Sequence, residues 1–266
     1  MIPERGLAME ANYKNWIPRG MIYGFVAGAA ALAVGSITAG MLAEGTGIKI
    51  IAGVLGAGAL GLSCASGWLI YAYRQFSYNG ARKLSKQIIE GAADFVKLPQ
   101  NGVGLDVGCG SGALTIAAAK RNPHARMVGC DRWGMEYASF SQKLCEENAS
   151  AENVHNTEFR KGDATKLPFD DESFDCVTSN YVYHNIPGNK QNYLLETLRV
   201  LKKGGTFAIH DIMSTSRYGD MKQFIQKLYD MGYEKAEIIP TTDKFMKENE
   251  AKILGLSGSA ILYGKK

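Results

Sequence analysis

The stretch Gly104–Leu114, GLDVGCGSGAL, decides how this chain is read. A short apolar strand runs into three alternating glycines, Gly108, Gly110 and Gly112. Glycines at that spacing permit a tight turn and let the backbone approach a ligand at the carboxyl edge of a parallel sheet. With Ala113 the loop also fits G-x-G-x-x-A, the dinucleotide fingerprint, so a dehydrogenase has to be weighed.

Three carboxylates discriminate. Asp106 stands two residues before Gly108, where it would repel a pyrophosphate and favour a ligand carrying an ammonium group. Asp131 ends the next expected strand, at about the spacing of a carboxylate that takes ribose hydroxyls. Asp163, in RKGDATKLPF, ends the strand after that, where it can accept from an adenine amino group. A nucleoside with a cationic tail satisfies all three, which points to S-adenosylmethionine rather than NAD.

Around the loop, strands are expected at 103–107, 126–130, 158–161, 175–179 and 206–210. Helices are expected at 82–97, 112–121, 137–150, 190–201 and 221–231. Such alternation implies a parallel sheet covered by helices on both faces. Two further strands, 236–240 and 257–263, follow on either side of a charged stretch. The fold class is therefore α/β, a Rossmann-like, mostly parallel sheet with an antiparallel C-terminal strand.

From about Asn101 the chain resembles the class I S-adenosylmethionine-dependent methyltransferases, in particular the small-molecule group that includes the ubiquinone and menaquinone enzymes. The stretches that carry the resemblance are GLDVGCGSG, VGCDRW, GDATKLPFDDESFDCVTSNYVYHNIP and LRVLKKGGTFAIHD, in the family's order and spacing. Lys203 stands where a proline is usual in the last of them, which reads as a turn change. The resemblance implies that Asp106, Gly108 and Gly110 hold the methionine end. It gives Asp131 the ribose, with Arg132 or Trp133 flanking the adenine. Asp163 and the backbone of Ala164 would read the adenine edge, and Asn180 and Tyr181 would line the sulfonium side. It also makes Tyr78, in QFSYNGARKLSKQI, a lid residue. On the residues alone, Asp131 and Asp163 equally suit turn caps, Trp133 a core position and Tyr78 a solvated linker.

The segment before this domain is different material. No charged residue occurs between Gly20 and Ala43, nor between Ile50 and Tyr73. Each run exceeds the ~20 apolar residues that cross a bilayer as a helix. A signal peptide has a shorter apolar core, and a water-soluble helix pair would not be uncharged for so long. The reading is a transmembrane hairpin. Arg5, Lys14 and Arg19 precede it, Arg74, Arg82, Lys83 and Lys86 follow it, and the loop between has only Lys49. Both termini are thus expected in the cytoplasm, with the loop outside. Small residues recur at Gly20, Gly24 and Gly28, and at Gly53, Ala57, Gly61 and Ala65, rows that let helices approach closely. They are read as packing the two spans on each other, with a homodimer through the hairpin as the other use. The expected organisation is 1–19 N-terminal segment, 20–73 hairpin, 74–100 linker and lid helix, and 101–266 methyltransferase domain.

The net charge of +4 comes with no basic stripe, which gives no reason to expect nucleic acid. The five cysteines, Cys64, Cys109, Cys130, Cys145 and Cys176, form no CxxC pair. Neither a metal site nor a disulfide framework is expected, and free thiols fit a reducing compartment. Their scatter also argues against arsenite as the methyl acceptor.

Methyl transfer needs a base only where the acceptor must lose a proton. His184, in NYVYHNIP after the fourth strand, is the leading candidate, with Tyr183 and Asp211 behind it; His184 equally suits a structural histidine bonded to the backbone. The expected function is methyl transfer from S-adenosylmethionine to a small, lipophilic acceptor met at the membrane. The alternative is a membrane-anchored cofactor-binding sensor or scaffold without turnover.

Overall fold

The computed structural model describes residues 10–135 and 139–266, and the chain divides into two compact units. Residues 15–85 form one. The other comprises the sheet and its helices, residues 86–266, joined by the residues up to Lys14.

The first unit is a helical hairpin, α1 (Arg19–Met41) and α2 (Thr46–Phe76). Both are long and apolar enough to cross a membrane. Their outward surfaces are apolar: Val34, Ile37, Met41, Val54 and Leu60 all stand exposed. The spans pack on each other, and of the expected rows Gly28 lies at the contact while Gly20, Gly24, Gly53 and Gly61 do not. A Cβ on Gly28 would meet Leu62, one on Gly35 Leu55, one on Gly56 Ser36 and one on Gly58 Leu32. Nothing lies within 4 Å of the same position on Gly20, Gly24, Gly53 or Gly61. The i, i+4 spacing located a small-residue face on each helix correctly, but sequence alone could not say which face turns inward. Ser36 fastens the pair by donating to the Ala52 carbonyl at 2.7 Å. Tyr78 lies in the turn after α2, within this unit.

The second unit is a seven-stranded sheet. Its strands are β1 (Val103–Val107), β2 (Arg126–Asp131), β3 (Thr157–Lys161), β4 (Phe174–Asn180), β5 (Leu201–Ile212), β6 (Lys235–Pro240) and β7 (Ser259–Lys265). The order is β3-β2-β1-β4-β5-β7-β6. Only β7 runs against its neighbours, pairing antiparallel with both β5 and β6. β1 is central: Leu105 pairs with Val128 of β2 on one side and with Val177 of β4 on the other. A strand between two parallel neighbours with helices on both faces has no solvated side. Hence β1, β2 and β4 are buried almost continuously along their length and not on alternate residues. Their side chains, with Phe207 and Ile209 of β5, make the core together with Leu194 and Leu198 of α6 (Lys190–Arg199) and Phe224 and Leu228 of α8 (Met221–Asp230). The strand order reverses between the parallel neighbours β1 and β4, so the connections leaving their carboxyl ends diverge there and leave room for a ligand.

Helix α3 (Leu84–Ala93) stops short of the expected Lys97. α4 (Ala113–Arg121) starts on the glycine loop, and α5 (Gln142–Ala151) is capped by the Ser141 hydroxyl on the Leu144 amide. The expected helix began at 137, and residues 136–138 lie outside the described residues. β5 starts five residues before the expected Thr206. Leu201 pairs with Phe174 and Thr206 with Cys176, so the intervening residues form a bulge, with Gly204 at φ +75°. Lys203 sits in that bulge and not in a free turn. The charged stretch before β7 holds two short helices, α9 (Thr242–Phe245) and α10 (Glu248–Leu254), while α7 (Thr215–Tyr218) follows β5.

Candidate active site

The glycine loop is built as the sequence demands. Gly108, Gly110 and Gly112 all have positive φ, at 73°, 57° and 81°. Gly108 has a second reason to lack a side chain, because a Cβ there would stand 2.3 Å from Val182 Cγ2. The loops after β1 and β4 therefore touch, which brings the glycines beside the segment that carries His184.

Each of the three carboxylates lies at the carboxyl edge, and each already has partners. Asp106, at the end of β1, is 1% exposed and accepts the Thr115 hydroxyl at 2.7 Å. Burial pushes its carboxyl up to about 7, against the Thr115 hydrogen bond and with help from the charge of Asp131. Asp131, at the end of β2, accepts the Gly110 N–H at 2.9 Å on one oxygen and the Trp133 N–H at 2.7 Å on the other. Asp163 accepts both the N–H and the hydroxyl of Thr165 on one oxygen, which holds it below the usual carboxylate range. The turn-cap reading of Asp163 is thus met by one of its oxygens. Arg132 is exposed and adds its charge to the stabilisation of Asp163, and Ala164 follows in the same turn.

Trp133 is not a core residue. Its backbone is left-handed, at φ 44°, and its indole N–H donates to the Gly110 carbonyl at 2.9 Å. Tyr181 is left-handed as well, at φ 56°. Non-glycine residues in that region cost ~1–3 kcal/mol each and persist only where surroundings impose them. Both lie directly beyond strand ends at the carboxyl edge, one after β2 and one after β4. Tyr181 is held by its N–H on the His210 carbonyl and by its hydroxyl on Ser259 Oγ at 2.7 Å.

Asn180, the last residue of β4, has its orientation set from behind. His210 Nδ1 donates to Asn180 Oδ1 at 2.7 Å, and Nε2 accepts from the Thr241 hydroxyl at 2.8 Å. Burial drives the His210 imidazole down to about 4, so it is neutral and holds one tautomer. That leaves the Asn180 amide nitrogen as the group presented away from β5. This support was invisible in the sequence, where His210 reads only as a packed strand residue.

His184 sits in a single turn of 3-10 helix, Tyr183–Asn185, immediately after β4. Its Nδ1 lies 2.6 Å from Asp211 Oδ1, and its backbone N–H reaches Asp211 Oδ2 at 3.1 Å. Asp211 is fully buried and takes the Ile212 N–H as well. Burial alone would raise its carboxyl; the hydrogen bond and charge of His184 outweigh burial and hold it below the ordinary range. The imidazole is therefore oriented by a carboxylate through Nδ1, and Nε2 is the nitrogen available for proton transfer. No part of Asp211 itself is exposed. Tyr183 has its ring in the core and its hydroxyl bonded to Thr197, and burial pushes its ionisation up. Tyr218, on α7, was missed. It is 3% exposed, and its hydroxyl lies close enough to Asp211 to feel the charge without completing a hydrogen bond.

The cysteines are less scattered than their spacing suggested. Cys109 of the loop, Cys130 of β2 and Cys145 of α5 are all buried around the glycines. The Cys145 thiol donates to the Gly110 carbonyl at 3.2 Å and lies against the Cys109 thiol. Burial raises Cys109 well above the usual thiol value and Cys130 to about 12. Burial of this kind disfavours the thiolate, the form of a cysteine that attacks or binds a soft metal, at Cys109 and Cys130. Among the described residues no group of three or more His, Cys, Asp or Glu is placed to hold a metal ion.

The methyltransferase-domain family matches residues 99–255, more than half of the chain. The chain belongs to that family. Its sheet order and glycine loop give it the Rossmann-like methyltransferase fold. Over 137 residues it is 36% identical to a demethylmenaquinone methyltransferase of Lactobacillus johnsonii, covering 49% of each chain. Over 117 residues it is 36% identical to an arsenite methyltransferase of Halobacterium salinarum, covering 44% of this chain and 28% of that one. The chain thus spans about half the length, or less, of these curated relatives. Among solved structures, the [4+2]-cyclase SpnF superposes with a TM-score of 0.53 at 18% identity, over 71% of this chain and 85% of the other. That likeness concerns the fold alone, and a cyclase with this fold shows that the fold does not dictate one reaction.

Proposed function

We propose that the protein moves a methyl group from S-adenosylmethionine to a small lipophilic acceptor bearing an ionisable hydroxyl, of the reduced-quinone type, at a membrane surface. The observation that carries this reading is the His184–Asp211 pair at the end of β4, beside the glycine loop. A methyltransferase acting on a thiolate or an already nucleophilic carbon has no use for an oriented base. A phenol or quinol has, because loss of its O–H proton activates either the oxygen or the conjugated ring carbon. The demethylmenaquinone methyltransferase relatives support the same acceptor class, as does a hairpin that would keep the enzyme among membrane-dissolved molecules. Arsenite, named by the other relative, is disfavoured by thiols that are buried and protonated.

The cofactor, when bound, supplies an electrophilic methyl group, and the chain supplies position. In this reading the Asp131 carboxylate receives the ribose hydroxyls while still anchoring Gly110. Asp106, Gly108 and Gly110 hold the methionine end. The free oxygen of Asp163 and the Ala164 amide take the adenine edge, flanked by Trp133 or Arg132. Asn180 and Tyr181 line the sulfonium side. His184 Nε2 takes the acceptor proton, and Asp211 stabilises the imidazolium that results. The hairpin crosses the membrane with both termini in the cytoplasm.

The test is incubation of the detergent-solubilised chain with methyl-labelled S-adenosylmethionine and a membrane lipid extract, followed by identification of labelled products. Label in a hydroxylated, prenylated ring supports the reading. Tight cofactor binding with no label transferred to any lipid would instead favour a non-catalytic sensor and sink it.

A further inference from the structure

The residues before the hairpin belong to the sheet unit, and their contacts lead to the glycine loop. Asn148 of α5, 2% exposed, is the junction. Its Oδ1 accepts the Asn12 N–H at 2.7 Å, and its Nδ2 donates to the Asn12 carbonyl at 3.3 Å. The same Nδ2 donates to the Ser111 carbonyl, inside the loop, at 3.0 Å. Next to it Tyr13 is 5% exposed and donates its hydroxyl to Glu152 at 3.0 Å. Glu152 also pairs with Lys120 of α4, the helix that grows out of the loop. α5 presses on the loop directly, since a Cβ on Gly112 would stand 3.2 Å from Cys145 Cβ. The loop therefore has two supports. Asp131 and Trp133 hold Gly110 on one side, while Asn148 holds Ser111 on the other.

We propose that Asn12 and Tyr13 are positioning residues of the cofactor loop: a strap supplied from upstream of the hairpin fixes the Asn148 amide and, through it, the backbone that the ligand meets. An asparagine amide can rotate, and a buried one keeps the orientation in which all its partners are satisfied. Without Asn12, Oδ1 of Asn148 is left without its donor and the side chain loses the contact that holds it toward Ser111. The strap is separated in sequence from the loop by the whole hairpin, so neither composition nor motif spacing marks it. The cofactor part of this inference rests on the function proposed above; the loop part does not.

Two readouts on the full-length chain in detergent separate them. Hydrogen exchange of the amides of 108–112 reports the loop with no ligand present. Calorimetry with S-adenosylmethionine, and the KM for it at fixed acceptor, report the site. Tyr13→Ala should release the strap and with it the Asn148–Ser111 contact, speed loop exchange about fivefold, the effect of that one net hydrogen bond, and raise the cofactor Kd and KM by a similar factor with kcat unchanged. Tyr13→Phe keeps the ring and should restore most of this. Asn148→Asp keeps the acceptor for Asn12 but loses the donor to Ser111, so it should free the loop while the strap amides stay protected. Wild-type loop exchange in Tyr13→Ala, with the Asn12 amide unprotected, overturns the proposal. If the wild-type chain binds no S-adenosylmethionine, the function proposed above fails while loop exchange still decides the strap.

Discussion

Asp106 gives the sharpest prediction, because its environment sets stability and ligand binding against each other. It is a carboxyl at 1% exposure with its one hydroxyl partner, Thr115, at 2.7 Å, and its ionisation is raised from 3.8 to about 7. In the unfolded chain the proton leaves near the ordinary carboxylate value, whereas in the folded chain it stays until about pH 7. Between roughly pH 4 and pH 7 the folded state thus holds more proton than the unfolded state, so stability falls as pH rises. Three units correspond to ~4 kcal/mol, fully lost by pH 8.

Asp106→Asn keeps the shape and can still accept from Thr115, but it has no proton to lose. The replacement also buries an amide N–H pair, which costs ~1–3 kcal/mol if unpartnered, so the net gain expected at pH 8 is ~1–3 kcal/mol. Denaturant unfolding of the solubilised chain at pH 5 and pH 8 should show a steeply pH-dependent wild type and a nearly flat variant. In the proposed binding mode the cofactor ammonium would reverse the balance, because it favours the ionised carboxylate. Binding to wild type should release a proton near pH 6.5 and tighten as pH rises, while the variant should bind weakly at every pH. Parallel stability curves for the two proteins would show that Asp106 is ionised in the fold at neutral pH, and the burial argument would be refuted.

His184→Ala should leave cofactor affinity near wild type and lower methyl transfer by ~10²–10⁴; normal turnover at every pH would make His184 structural. Asp211→Asn should lose a comparable factor, because an amide facing Nδ1 no longer fixes the proton there, and a wild-type pH profile in this variant would remove Asp211 from the mechanism. Asp131→Ala strips the Gly110 and Trp133 amides of their acceptor as well as the ribose of its own, so calorimetry should show weakened cofactor binding; unchanged affinity in a folded variant excludes it. In a Cys64→Ser background, a cysteine placed at Thr46 should react with an impermeant reagent added to intact cells and one at Ser85 should not, the reverse pattern overturning the topology.

The strands of the sheet were legible because a buried parallel strand is a run of apolar residues bounded by glycine, proline or charge, and 103–107 and 126–131 are such runs. Boundaries failed where a local feature interrupts the run without ending the element. The Lys203–Gly204 bulge reads as a turn because it is polar and carries a glycine, yet β5 continues through it. α9 and α10 hide in a charged stretch because four and seven residues are too few to show a helical period. In the hairpin the i, i+4 rows were visible, but a small residue is as suitable on an outward face as at a contact, and only the facing leucines, Leu32, Leu55 and Leu62, mark the contact.

In the site, sequence position nominated the groups, and partners assigned their work. His184, Tyr183 and Asp211 were interchangeable as candidate bases while only their distance from β4 was known. Their environments separate them on one criterion, which is what each polar atom already binds. Tyr183 spends its hydroxyl on Thr197 inside the core. Asp211 spends its oxygens on the His184 imidazole, the His184 amide and the Ile212 amide. His184 alone keeps a nitrogen outside that network. The same criterion applies to Asp131, whose oxygens each take one backbone amide. A carboxylate oxygen has capacity for a second donor, so ribose hydroxyls would add to those bonds and not replace them. Ligand binding and loop order are then coupled through one residue. In that mode the proposed Asn148 anchor at Ser111 would hold the loop independently of the oxygens that also serve the ligand.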